Sequence, residues 1–281
     1  MVKWSAGSAV PALLVPAGSA DCHHHIYDHR FPTDPRASSH QGDASVDDYR
    51  GLQRRLGTTR NVIVQPSTYG TDNSLLLEAL ATMGPSSRGV AVVDDGVAES
   101  ELARLHLAGV RGIRFNLVQT GATTPSMLAR LAPLMQGLGW HIQFNMSAAQ
   151  IVELAEPLIA LPCPVVFDHL AHLPPPDGLA HPAFTVVRRV LDTGRGWVKL
   201  SGAYIDSRTG PPGYADIGEV ARAFVQAAPG RMVWGSDWPH PTAQPDKPDD
   251  AVLLDLLAEW APDEALRHRI LVDNPAELYG F

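Results

Sequence analysis

Asp21-Cys22-His23-His24-His25 closes a short apolar run near the start of the chain, and Gly235-Ser236-Asp237-Trp238-Pro239-His240 closes another near its end. Both runs have the length and composition of β-strands. In an extended strand successive side chains alternate between faces, so His23 and His25 point one way and His24 the other. Two imidazoles on a first strand and the Asp237 carboxylate on a last one can act together only if those strands are neighbours. That requires a sheet closed on itself.

Between the two runs the pattern repeats. Short apolar stretches occur at 20–25, 61–66, 89–94, 110–116, 140–145, 164–169, 197–201 and 231–237, several rich in β-branched residues. Segments with apolar residues at three- and four-residue spacing separate them, at 46–56, 73–83, 100–108, 125–138, 148–159, 184–191, 217–227 and 250–260. A last helix at 263–272 and a tail at 274–281 follow. Strand–helix alternation repeated eight times predicts an α/β fold, a (β/α)8 TIM barrel in one domain at 19–281, preceded by an extension at 1–18. A doubly wound open sheet would carry a glycine-rich phosphate loop after its first strand, where this chain has three histidines. The proline-rich stretch 174–176 and the segment 210–213 read as loops at the catalytic end.

Composition narrows the function. Of 281 residues, 45% are hydrophobic and 19% charged, which is ordinary for a globular protein, and the net charge of −8 argues against nucleic acid as a partner. Two cysteines, Cys22 and Cys163, make neither a disulfide framework nor a zinc-ribbon spacing and fit a reducing cytoplasm. Pro11 and Pro16 interrupt the N-terminal apolar stretch that a signal peptide would need, and no run approaches the roughly 20 residues that span a bilayer. The expectation is a cytoplasmic enzyme with a small-molecule substrate and no membrane partner.

Catalytic residues of such a barrel lie at the C-terminal strand ends. Counting alternation back from each strand's last residue gives His23 and His25, Gln65 with Ser67 just beyond, Arg114 and Asn116, Gln143 and Asn145, His169, Lys199 and Ser201, and Asp237. Any one of these, taken singly, is a hydrogen-bonded core or loop residue; seven strands ending polar after an apolar start is what points to a site. Asp237, walled by Trp234 and Trp238, is expected to be partly desolvated, with its pKa pushed up as a general base requires. Arg114 offers a two-pronged donor for a carboxylate, whereas Arg111 has the opposite parity and pairs with a helix. Lys199, inside the barrel, needs a buried partner. His24 faces the helices, and His29 and His40 are expected in solvent.

With these residues placed, the chain resembles the amidohydrolase superfamily, in its amidohydrolase-2 branch, and there the group of 2-pyrone-4,6-dicarboxylate lactonases, sugar lactonases and galactarolactone isomerase. The motifs are residues 21–25, 64–73, 109–116, 167–169, 233–241 and 273–275. The resemblance implies lactone hydrolysis, with Asp237 deprotonating water, His23, His25 and His169 polarising the carbonyl, and Arg114 gripping a substrate carboxylate. Gln65, Ser67, Asn116, Asn145 and Lys199 complete the expected substrate contacts. The group's further arginine falls at about Thr120 here, its strand-five tyrosine corresponds to Asn145, and Arg208 is a displaced substitute for another arginine. A sugar-derived lactone or a monocarboxylate suits that lining better than a dicarboxylate. Metal-dependent members add a lysine or glutamate from strand four and a histidine from strand five, both absent, so a binuclear centre is not expected; a single Zn²⁺ on His23, His25, His169 and Asp237 has suitable ligand types, and none is expected to be obligatory. The alternatives are a zinc-dependent decarboxylase, a lactone isomerase in which a substrate hydroxyl replaces water, and a carbohydrate-acid binding protein.

Overall fold

A computed structural model describes residues 2–37, 41–119, 121–243 and 245–281, so His40 and Thr120 lie outside the described residues. Eight parallel strands pair in sequence order: β1 (Ala20–His24), β2 (Arg60–Val64), β3 (Ser87–Ala91), β4 (Val110–Asn116), β5 (His141–Asn145), β6 (Val165–Phe167), β7 (Gly196–Leu200) and β8 (Met232–Trp234). Every expected run overlaps its strand, although β2, β3 and β7 begin one or two residues earlier than expected. β6 and β8 stop short, however, which leaves His169 and Asp237 beyond regular structure.

Helices α1 (Val46–Leu56), α2 (Ser74–Met83), α3 (Glu99–Leu107), α4 (Leu128–Leu138) and α7 (Pro182–Asp192) fall where the periodicity places them. The expected helix at 148–159 is two, α5 (Ala148–Glu153) and α6 (Ala155–Ala160), separated at Leu154. A single turn, α8 (Ala203–Asp206), precedes α9 (Ala215–Ala227), and α10 (Asp250–Asp255), α11 (Leu257–Trp260), α12 (Glu264–His268) and α13 (Asn274–Tyr279) end the chain. Local chemistry explains α1. Ser45 and Asp48 form a capping box, Asp47 and Asp48 sit in the first turn and Arg54 and Arg55 in the last, and Gly57 ends the helix in the left-handed region.

Two apolar layers position the site. Ile63, Ile113, Phe115, Phe144 and Phe167 face outward into the layer packed by the helices. Ala20, Cys22, Val62, Val64, Val90, Val166, Trp197 and Val233 form a separate interior cluster, with Tyr279 of α13 packed against it. The tail at 274–281 is therefore part of the barrel core. Fully buried polar side chains, among them His23, Gln143 and Lys199, share the barrel with this cluster.

The barrel closes between β1 and β8 through backbone bonds just past the end of β8. Asp237 N donates to His23 O at 2.8 Å, His25 N donates to Trp238 O at 2.8 Å, and His24 bridges Trp238 in parallel. Behind this seam the buried Asp21 carboxylate accepts from Ser236 N (2.9 Å), Ser236 Oγ (2.6 Å), His23 N (3.1 Å) and Tyr49 Oη (3.0 Å). Gly235 is needed here for close approach: a Cβ would lie 2.6 Å from that of His23.

Candidate active site

Strict alternation does not by itself bring His23 inward, because Cys22 already belongs to the interior cluster. A register shift between Asp21 and His24 lets both face the barrel axis. His24 turns outward as expected, stacking on Tyr49 at 3.4 Å and bonding Asn61. On the last strand alternation carries from Val233 to Asp237, which sits at φ 63°. His169 arrives differently. β6 ends at Phe167, an outer-layer residue, and the four residues His169, Leu170, Ala171 and His172 all have positive φ, from 47° to 58°.

These segments converge on one oxygen. Asp237 Oδ1 lies 3.6 Å from His23 Nε2, 3.6 Å from His25 Nε2 and 3.9 Å from His169 Nε2, and has no hydrogen-bond partner among the described residues. Oδ2 accepts from the Tyr204 hydroxyl at 2.6 Å. His25 Nδ1 is 2.8 Å from Val64 O, His169 Nδ1 is 3.0 Å from Ser201 Oγ, and the His23 and His25 Nε2 atoms are 3.3 Å apart. A cavity opens above, lined by His25, His169, Asp237, Arg114, Ser67, Asn116 and Asn145 as anticipated, and also by Tyr27, His172 and Ile205.

Two expected substrate contacts lie elsewhere. Lys199 is fully buried and absent from the cavity wall, donating to Cys22 O (2.8 Å) and Gln143 Oε1 (2.7 Å). Gln65 is also buried and donates to Asp72 O at 2.7 Å, which fixes the loop after β2. Arg208 is exposed and absent from the cavity lining, so it replaces no substrate-binding arginine there. Arg111 bonds His106 O at the end of α3, as its parity suggests.

The buried partner that Lys199 requires is Asp168, at 3.7 Å, a residue to which the sequence reading gives no role. Asp168 Oδ2 accepts from Arg114 Nε (3.0 Å) and Gln143 Nε2 (3.1 Å). Arg114 is thus anchored by one nitrogen, and its two terminal nitrogens have no hydrogen-bond partner among the described residues. Across the mouth runs a chain of contacts: Asn116 Nδ2 to Ser67 Oγ (2.7 Å), Asn145 Nδ2 to Asn116 Oδ1 (3.0 Å), His172 Nε2 to Asn145 Oδ1 (2.8 Å) and His172 Nδ1 to Asp206 Oδ2 (2.8 Å).

The electrostatics reverse one expectation. Burial alone would raise the Asp237 carboxyl, but the neighbouring His169, His25 and His23 rings outweigh it and hold the group well below the usual carboxylate range. The tryptophans do not wall it. Trp234 packs in the outer layer, and Trp238 lies against Tyr49, donating to Lys3 O. Burial, opposed by Asp237 and Asp168, lowers His169 to about 4. A proton on His169 would put a cation 3.9 Å from Asp237 Oδ1 and weaken it as a base. As far as His169 governs it, the pH profile of kcat/KM is expected to decline only as pH approaches 4; a decline assigned to His169 and centred at 6.5 would contradict its burial as a neutral ring.

The donor set also suits one divalent ion. His23 Nε2, His25 Nε2 and Asp237 Oδ1 lie within 4.8 Å of one another, as do ligand atoms of His23, Asp168 and His169. β4 and β5 end in Asn116 and Asn145, so the ligands of a second ion are missing from those strand ends.

A closed parallel barrel with a carboxylate and three imidazoles at its catalytic end defines a (β/α)8-barrel enzyme. The chain belongs to the amidohydrolase family, whose model matches residues 20–281. It is 35% identical over 290 residues to a 2-pyrone-4,6-dicarboxylate hydrolase of Comamonas testosteroni, covering 99% of this chain and 95% of that one. It is 34% identical over 282 residues to a 4-sulfomuconolactone hydrolase of Rhizobium radiobacter, covering 98% and 94%. An apo crystal structure from Agrobacterium tumefaciens superposes with a TM-score of 0.92 at 30% identity, covering 99% of both chains.

Proposed function

We propose that the protein hydrolyses a small lactone bearing an anionic group, such as a sugar-acid lactone or a pyrone carboxylate. The observation that carries this reading is Asp237 Oδ1, unpartnered and ringed by three imidazole nitrogens at 3.6–3.9 Å. In this reading Asp237 takes a proton from water as the oxygen attacks the lactone carbonyl carbon, and Tyr204 holds the other carboxylate oxygen in place. The imidazole cluster faces the carbonyl oxygen, and those of its rings that carry an Nε2 proton stabilise the oxyanion, which a dry, preorganised site does well. The ring C–O bond then breaks, and Asp237 returns its proton to the leaving oxygen, giving a hydroxy acid. Arg114, anchored through Asp168, offers its free nitrogens to the anionic group, while Ser67, Asn116 and Asn145 suit hydroxyl or carbonyl oxygens. The names of both relatives describe cyclic esters with acidic substituents, which supports the substrate class.

A divalent ion, if bound by His23, His25, His169 and Asp237, would supply Lewis-acid polarisation of the carbonyl. The chain's own residues suffice for the steps above, and no obligatory metal is proposed. The test is a panel of aldonolactones, aldarolactones and pyrone carboxylates in ¹⁸O water, after chelation, followed by acid release. Hydrolysis puts one labelled oxygen in the product carboxylate. Isomerisation would give a rearranged lactone without label, and a decarboxylase would release CO₂ and stop on chelation; either result would replace this reading.

A further inference from the structure

His23 and His25 are two residues apart and share a face, yet the groups behind them differ. Behind His25 is a backbone carbonyl, Val64 O, at 2.8 Å from Nδ1. A carbonyl can only accept, so the His25 proton lies on Nδ1 and its Nε2 presents a lone pair. Behind His23 Nδ1, at 3.3 Å, is the Lys199 ammonium. An ammonium has three N–H donors and no acceptor. Two of its donors reach Cys22 O and Gln143 Oε1, and the third reaches His23 Nδ1.

We propose that Lys199 and the Val64 carbonyl impose opposite tautomers on the two histidines, His23 carrying its proton on Nε2 and His25 on Nδ1. Lys199 is in this respect a positioning residue, acting through His23. The contact between the rings tests the assignment internally. Their Nε2 atoms are 3.3 Å apart, a hydrogen-bond distance that requires one donor and one acceptor. Donation then runs in one direction, from Lys199 to His23, from His23 to His25, and from His25 to Val64 O.

The competing arrangement puts the His23 proton on Nδ1, toward Asp168. Asp168 Oδ1 is 3.2 Å away, but that contact lacks the alignment of a hydrogen bond, and the carboxylate accepts from Arg114 and Gln143 through its other oxygen. That arrangement would also oppose two Nε2 lone pairs at 3.3 Å, which only a cation between them would relieve. The two histidines therefore differ in what they hold: the His23 Nε2 proton can reach an oxyanion only by leaving the His25 lone pair, and His25 has no Nε2 proton to give. The same arrangement disfavours metal, since a ligating imidazole must offer its lone pair.

The assignment rests on the hydrogen-bond geometry alone, and its test does not depend on any substrate. In protein labelled with ¹⁵N-histidine, purified with chelator at pH 7, two-bond ¹H–¹⁵N correlation spectra distinguish the tautomers. His23→Gln and His25→Gln identify the two sets of signals. The expected result is an Nε2–H pattern for His23 and an Nδ1–H pattern for His25. Lys199→Met removes the donor at nearly the same length and is expected to move His23 to Nδ1–H while leaving His25 unchanged. It is also expected to tighten zinc binding by roughly 10–100-fold, the scale on which groups behind a ligand act. An Nδ1–H pattern for wild-type His23 overturns the proposal, as does an unchanged His23 pattern or unchanged zinc affinity in Lys199→Met. Should that variant fail to fold, the wild-type spectrum decides alone.

Discussion

Asp237→Asn is expected to lower kcat by about 10²–10⁴-fold, the contribution typical of a positioned general base. The amide keeps the size of the carboxylate and its ability to accept from Tyr204, but it cannot take a proton from water. The backbone is not a confounding factor. Asp237 sits at φ 63°, and asparagine is among the few residues that adopt the left-handed region readily. A melting temperature close to wild type should therefore accompany the loss of turnover. Near-wild-type kcat in this variant would remove Asp237 from the role of base.

Asp21→Ala is expected to act on stability, through residues that never meet substrate. The carboxylate accepts four hydrogen bonds in a fully buried position, and burial pushes it up to about 6 against the opposing pull of Ser236, His23 and Tyr49. Alanine leaves those donors without their acceptor, and an unsatisfied buried donor costs about 1–3 kcal/mol. With several donors stranded at once, the total is expected to reach about 3 kcal/mol or more. For a chain of this size that corresponds to a fall of roughly 10 °C in Tm, measured by calorimetry or circular dichroism. A change under about 1 kcal/mol would show that the seam is held by its backbone bonds alone. Activity should fall with stability, because the backbone bonds of His23, His25 and Asp237 that close the seam also set the spacing of the site.

The barrel was legible because its signal is periodic and repeated. Eight strands follow from alternation, as does the opposition of His24 to His23 and His25, although the register shift after Asp21 is what turns His23 inward beside Cys22. Height along the barrel is a different matter. Lys199 has inward parity and is inward, yet it lies below the cavity floor, because parity reports a face and not a depth. Asp168 was within reach of the same reasoning: a buried ammonium needs a buried anion, and Asp168 stands beside the already suspected His169. The expectation for Asp237 went wrong through a neighbour effect. Trp234 is three residues away and so faces outward, leaving the imidazoles to set the local charge. Tyr204 and His172 had no readable signal, since one lies in the single turn α8 and the other in a four-residue left-handed run, both too short to show a period of two or of 3.6.

The run His169-Leu170-Ala171-His172 winds with the wrong hand for L-residues, and none of the four is glycine. Each such residue costs roughly 1–2 kcal/mol relative to the right-handed alternative. Glycine at Leu170 or Ala171 would relax that conformation, yet it would also loosen the two imidazoles at the ends of the run, which stand 5.4 Å apart edge to face at the cavity wall. Leu170 and Ala171 are buried in the outer core, so truncating Leu170 forfeits about 2–5 kcal/mol of packing, more than the relaxed backbone returns, and the strained turn is held by what its side chains bury.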